Sequence, residues 1–202
     1  MRPSTTRRRT PTRSRAGFTL LELMVIVVLI LITAALAAPG LMRSMAVNRA
    51  QRATHDAARL ARQARSDSIS YGRAYLMIHS AGTSSRGRLE LWRGLTDTCR
   101  SNDWSTIVVA NGCTASPRAV DCVDAVDFSD YSTAGHTVQI TTSGTTTHVC
   151  FEPDDEIWVS TGGGTFSRPA QALRFPINRL EGSTALEQRG LFVPISGAPR
   201  VF

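Results

Sequence analysis

Four histidines are the side chains in this chain best suited to acid–base chemistry near neutral pH. They are His55, His79, His136 and His148. The sequence contains no Gly-x-Ser-x-Gly elbow to expose a serine nucleophile and no His-Glu-x-x-His zinc motif. Each histidine is better interpreted as an ordinary surface or strand residue, with His136 and His148 candidates to approach each other across a hairpin. We therefore predict that the protein is not an enzyme.

Carboxylates cluster at two places, and calcium is the ion that such clusters would suit. The clusters are Asp121, Asp124, Asp127 and Asp130, at every third position, and Asp154, Asp155 and Glu156, in succession. Neither has the spacing of an EF-hand loop. We interpret both as solvated acidic loops, and we predict no metal and no cofactor.

Four cysteines suggest disulfide chemistry. They are Cys99, Cys113, Cys122 and Cys150, with no Cys-x-x-Cys pair among them. Cysteines spread out behind a hydrophobic segment are typical of two disulfides in an exported domain, and buried free thiols are the alternative. Three pairings are possible, and we expect Cys122–Cys150 and Cys99–Cys113.

The positive charge of the chain is concentrated near its start. All 23 basic residues are arginines, against 16 acids. Six arginines and no acid precede Gly17, so the remainder has 17 arginines against 16 acids. The hypothesis that the protein binds nucleic acid through its overall positive charge therefore loses its main support.

An acidic residue lies inside a membrane-length apolar segment. Residues 18–38 are almost entirely apolar and would span about 31 Å as a helix, enough to cross a bilayer core of about 30 Å. A signal peptide or a plain anchor is the ordinary interpretation. The apolar run is long for a signal peptide, however. Placing the carboxylate of Glu22 in a bilayer core is energetically costly, which suggests that Glu22 has a function.

The residues Gly17-Phe18-Thr19-Leu20-Leu21-Glu22, followed by an apolar helix, resemble the class III signal of type IV pilins and type II secretion pseudopilins. This resemblance implies that prepilin peptidase cleaves after Gly17 and methylates the new first residue, Phe18. Glu22 would be the fifth residue of the mature chain and would pair with the amino terminus of a neighbouring subunit. Pro39 matches a proline common in pilins, and we expect the helix to loosen there.

The resemblance also implies a location and partners. The arginine-rich leader predicts a cytoplasmic N-terminus, a single pass through the inner membrane and a periplasmic head. The expected partners are prepilin peptidase, other minor pilins or pseudopilins, and the major pilin.

The rest of the chain predicts an α+β protein with a long N-terminal helix on a mostly antiparallel β-rich head. We divide it into a leader (1–17), a membrane helix (18–39), an amphipathic continuation (40–71) and the head (72–202). A stripe of small residues marks the helix face that packs on the head. Its members are Ala50, Ala53, Ala57, Leu60, Ala64 and Ser68.

Nine short segments of the head have strand character, separated by turn residues. They are 74–79, 88–93, 105–110, 125–128, 136–142, 145–152, 157–160, 172–177 and 189–195. Ser143-Gly144 is a candidate hairpin turn between two of them.

The head resembles the GspH/FimT family of minor pilins and pseudopilins at 149–154 and near the C-terminus. The family implies a long helix packed on two antiparallel sheets. Some FimT-type members bind DNA through a Gly-Arg-x-Arg segment, of which only Arg200 remains here. Arg86 and Arg88 are the other candidate DNA contacts, and we expect no nucleic-acid partner.

These observations predict a minor pilin that primes assembly of a type IV pilus and lies at or near its tip. A type II secretion pseudopilin of the GspH type is the alternative. A DNA-uptake pilin of the FimT type is the second alternative.

Overall fold

The computed structural model describes residues 18–80, 86–110, 112–133, 135–141, 147–162, 164–196 and 198–202. The chain divides into two compact units, one ending at Met42 and the other running from Arg43 to Phe202. Gly17, the predicted cleavage residue, lies outside the described residues.

One helix dominates the N-terminal half of the chain. Helix α1 (Leu20–Tyr71) contains 52 residues. It ends at Tyr71 and is followed by Gly72. The φ of Gly72, 62°, is the left-handed conformation that commonly closes helices and that glycine adopts without strain. The predicted long helix is thus present.

The head has two antiparallel sheets. The strands are β1 (Tyr75–Ser80), β2 (Arg88–Arg93), β3 (Cys122–Asp127), β4 (His136–Ile140), β5 (His148–Phe151), β6 (Ile157–Ser160), β7 (Leu173–Glu181), β8 (Thr184–Val193) and β9 (Arg200–Val201). Sheet A has the order β3-β2-β1-β5-β6, and sheet B has the order β4-β7-β8-β9. The architecture confirms the predicted α+β, pilin-like fold.

The main core lies among the second half of α1 and the inner faces of both sheets. Alanines on α1, such as Ala53 and Ala57, allow close approach to the strands and are fully buried. Met77 from sheet A and Phe175 from sheet B belong to the same core cluster. The six residues of the small-residue stripe are all buried.

A second hydrophobic cluster covers the opposite, outer face of sheet A. The connection between β2 and β3 contributes Trp104 and Ile107, which pack with Leu76 and Trp92. The connection contains helix α2 (Trp104–Ile107), where a strand was predicted. The strand prediction was wrong because Asp103 caps a helical turn there, accepting a hydrogen bond from the Ser105 N–H.

The cysteines form two disulfides, but the expected pairing was wrong. The bonds join Cys99 to Cys150 and Cys113 to Cys122. Cys122 begins β3 and Cys150 lies on β5, and β2 and β1 separate these strands. Three strand spacings are about 14 Å, whereas bridged α-carbons lie within about 7 Å of each other.

The predicted hairpin between β4 and β5 was also wrong. The two strands belong to different sheets, since β4 pairs with β7 and β5 pairs with β1 and β6. His136 and His148 therefore do not face each other across a hairpin. The Ser143-Gly144 turn itself lies outside the described residues.

Candidate functional site

Thr19 caps the start of helix α1, next to the predicted processing site. Its side-chain oxygen accepts a hydrogen bond from the N–H of Glu22 at 3.2 Å, and its carbonyl accepts one from the N–H of Leu23 at 3.2 Å. Thr-x-x-Glu is the spacing of a capping box, which satisfies N–H groups that the first helical turn leaves without partners. This capping role of Thr19 was not predicted, although the Thr-x-x-Glu spacing is a signal for it.

Glu22 lies on an exposed apolar helix surface. Every described residue from Phe18 to Met45 is exposed. Helix α1 is the one described helix long and apolar enough to cross a membrane, and its apolar part is near the N-terminus. A continuous apolar surface of this length is unfavourable in water and suits the hydrocarbon core of a bilayer. Glu22 is the only ionisable residue among 18–42.

The polar and helix-breaking residues of this segment leave the helix intact. The hydroxyl of Thr33 donates to the carbonyls of Leu29 and Ile30, so its polar group has partners within the helix. The helix continues through Pro39 and Gly40. Pro39 therefore does not end the helix, and the expected loosening there stays a prediction.

Polar bonds attach the second half of α1 to the head. Arg59 donates to Asp124 of β3 at 2.9 Å. Asp56 accepts a hydrogen bond of 2.6 Å from the hydroxyl of Tyr131, in the 3₁₀ turn that follows β3. Burial, reinforced by this bond to Asp56, raises the pKa of Tyr131. The phenol therefore stays protonated and keeps donating at neutral pH.

The three candidate DNA contacts do not form one site. Arg88 is 3% exposed and forms ion pairs with Glu90 at 3.2 Å and Asp127 at 3.5 Å. The prediction for Arg88 was therefore wrong, since a buried and paired guanidinium cannot reach a phosphate. Arg86 is half-buried before β2 of sheet A, whereas Arg200 is exposed on β9 of sheet B.

The later acidic cluster is bonded to the rest of the head. Carboxylate oxygens of Glu152, Asp154 and Glu156 lie within 4.8 Å of one another. Glu152 accepts a hydrogen bond from the N–H of Cys99, and Glu156 pairs with Arg168. The neighbouring Asp155 pairs with Arg65 of α1. These bonds give the cluster a structural role, fixing the β5–β6 turn to the helix and to the disulfide-bearing connection.

Comparison with known protein families gives a match at the N-terminus. Residues 12–38 match the family model of the prokaryotic N-terminal methylation motif. No curated protein sequence and no solved structure matches the chain. The motif and the apolar helix that carries it indicate a type IV pilin-like protein. This class implies processing by prepilin peptidase and is consistent with anchoring in the inner membrane.

Proposed function

We propose that this protein is a minor pilin, a structural and priming subunit at or near the tip of a type IV pilus. The observation that carries the proposal is the processing motif placed at the start of an uninterrupted, exposed apolar helix. Cleavage after Gly17 would leave Phe18 as a methylated N-terminus beside Glu22. A carboxylate held in lipid requires a positive partner, and the amino terminus of a neighbouring subunit supplies one.

The head supports a subunit of the GspH/FimT type. The sequence resembles that family, whose members carry a long helix on two antiparallel sheets, and this head has two such sheets. We assign it a structural role in the filament and no catalytic one.

The same features suit a type II secretion pseudopilin, so the first experiment must separate the two filaments. The gene is deleted, and surface pili with twitching motility are scored in parallel with exoprotein secretion and DNA uptake. Loss of pili with secretion intact supports the proposal. Loss of secretion alone identifies a type II pseudopilin, and loss of DNA uptake alone identifies a DNA-uptake pilin.

Mass spectrometry of the mature chain tests the processing step separately. The expected N-terminal residue is methylated Phe18. A chain that still begins at Met1 would refute the processing that the proposal requires.

A further inference from the structure

The outer face of sheet B carries a cross-strand row of arginine and phenylalanine. Arg174 on β7 lies opposite Phe192 on β8, and Phe192 lies opposite Arg200 on β9. Residues directly opposite each other in an antiparallel ladder project on the same side of the sheet. The three side chains therefore form one continuous row.

A second aromatic ring lies in the next row of the same face. Gly190 exchanges two backbone hydrogen bonds with Phe202, at 3.2 and 3.0 Å, two residues along β8 from Phe192. Side chains two residues apart on a strand share a face. Phe202 thus lies on the same side as Phe192, and the residue is 49% exposed.

The aromatic surface depends on a specific local geometry. A Cβ on Gly190 would lie 2.4 Å from Cζ of Phe202, so the ring lies directly over this glycine. The guanidinium carbon of Arg174 is 6.0 Å from the ring centroid of Phe192 and 5.8 Å from that of Phe202. Cations at such distances are attracted to the ring faces. Arg174 thus lies within cation–π range of both rings.

This face points away from the core. Phe175 and Leu191, which alternate with the face residues along β7 and β8, are buried in the main core. Arg174 and Arg200 are exposed, and Phe192 is half-buried. The outer face of sheet A is covered by the second hydrophobic cluster, whereas both arginines of the row on sheet B are exposed.

The charge of the face is positive. Gln139, Asn178 and Gln188 form a further cross-strand row on this face, beyond the Pro176–Gly190 pair, and their amides are neutral. Two arginines therefore flank the aromatic centre, and the described side chains of these rows include no carboxylate. A complementary surface must supply acidic groups around an apolar centre.

We propose that this arginine–phenylalanine face is the docking surface for a neighbouring filament subunit that presents carboxylates around an apolar patch. Arginine and large aromatic residues are enriched at protein interfaces, where they carry much of the binding energy. A nucleic acid fits less well, since residues 18–202 have 17 arginines against 16 acids and attract a polyanion weakly. The identity of the partner rests on the proposed filament role, and the position of the surface does not.

Photo-crosslinking in the producing cell tests the surface with the full-length chain. The crosslinker p-benzoylphenylalanine replaces Gln188, which is exposed beside the row, or Leu95, which is 62% exposed in the connection over sheet A. The Gln188 position is expected to give an adduct with a second protein that carries an N-terminal methylation motif. The Leu95 position is expected to give none with that partner.

Charge reversal tests the chemistry. The double variant Arg174→Glu/Arg200→Glu is expected to lower the adduct yield about tenfold or more, because it places carboxylates opposite carboxylates. The double variant Arg174→Lys/Arg200→Lys keeps the charge and is expected to retain most of the adduct. Arg73→Glu is the matched control, since Arg73 is exposed outside the sheet. Thermal unfolding establishes that each variant folds.

Two results separate failure of the surface from failure of the filament role. If the wild-type chain enters sheared filaments and the reversed variant folds but crosslinks at an unchanged yield, the docking surface is wrong and the filament role stands. If the wild-type chain is absent from both pili and pseudopili, the filament partner is wrong along with the proposed function. An adduct that nuclease removes would replace the protein partner with nucleic acid and overturn the inference.

Discussion

Tyr131 donates its hydroxyl to Asp56 at 2.6 Å, joining α1 to the 3₁₀ turn after β3 across 75 residues of sequence. The ring of Tyr131 packs against the main core, and Phe128 of the same turn is fully buried. One polar bond at the margin of an apolar contact thus fixes the turn against the helix. Removing this bond therefore measures how much it contributes to the attachment of α1 to the head.

Replacing Tyr131 with phenylalanine is expected to lower the free energy of unfolding by about 1–2 kcal/mol. The variant removes a hydrogen bond to a charged acceptor that is partly exposed and therefore partly rehydrated. Urea unfolding of the full chain in detergent micelles measures the change. Tyr71→Phe is the control, since Tyr71 is 69% exposed at the end of α1. Equal losses in both variants would argue against the Asp56 bond.

The two disulfides are expected to contribute unequally to stability. Cys99–Cys150 closes a separation of 51 residues, and Cys113–Cys122 closes one of 9. Chain entropy predicts that replacing both cysteines by alanine costs about 4 kcal/mol for the longer loop and about 2.5 kcal/mol for the shorter. Thermal unfolding of the two double variants tests the order, and the reverse order would contradict the entropic account.

Two half-buried histidines predict acid sensitivity. Burial lowers the pKa of both His79 and His148 below the ordinary value of 6.5. The contribution of the two histidines to folding stability is present in full above pH 6.5. It is lost as the pH falls toward their pKa values in the folded state, because the unfolded chain binds the protons more readily. The variant His79→Asn/His148→Asn is expected to lose less stability than the wild type between pH 6.5 and 5. His55→Asn, at an exposed position, is the control for the substitution itself.

Gly190→Ala is expected to destabilise the head by about 1–3 kcal/mol, as overpacking does. The added carbon would meet the Phe202 ring at 2.4 Å and the Phe175 carbonyl at 2.8 Å. Phe202→Ala in the same chain should recover part of this loss, since it removes the first clash and leaves the second. A double-mutant cycle measured by urea unfolding gives the coupling, and strictly additive effects would show that the ring does not lie over Gly190.

Glu22→Ala is expected to insert and to be cleaved, yet to be lost from filaments. The variant removes the only carboxylate of the apolar segment and with it the proposed partner of a neighbouring amino terminus. Immunoblots of membranes and sheared filaments measure the two pools. Glu181→Ala, an exposed acid on the head, is the control. Wild-type amounts of the Glu22 variant in filaments would exclude the pairing.

The processing segment was predictable from the sequence because its information is local. The Gly17-to-Glu22 motif, the length of the apolar run and the small-residue stripe of α1 all depend on residues within a few turns of one helix. The family model at 12–38 recognises the same segment. The α+β class followed similarly from one long helical pattern and several short strand patterns.

Tertiary structure alone decided which distant residues meet. The pairing of Cys99 with Cys150 depends on the β2–β3 connection folding across sheet A, and no local pattern encodes that crossing. The sequence suggests that Arg88 is a basic surface residue. Arg88 is nevertheless buried, because Glu90 and Asp127 neutralise its charge beneath the same connection. The arginine–phenylalanine face exists because strand register aligns residues from three strands. Local propensities determine elements, whereas register, sheet order and loop coverage depend on the packing free energy of the whole head.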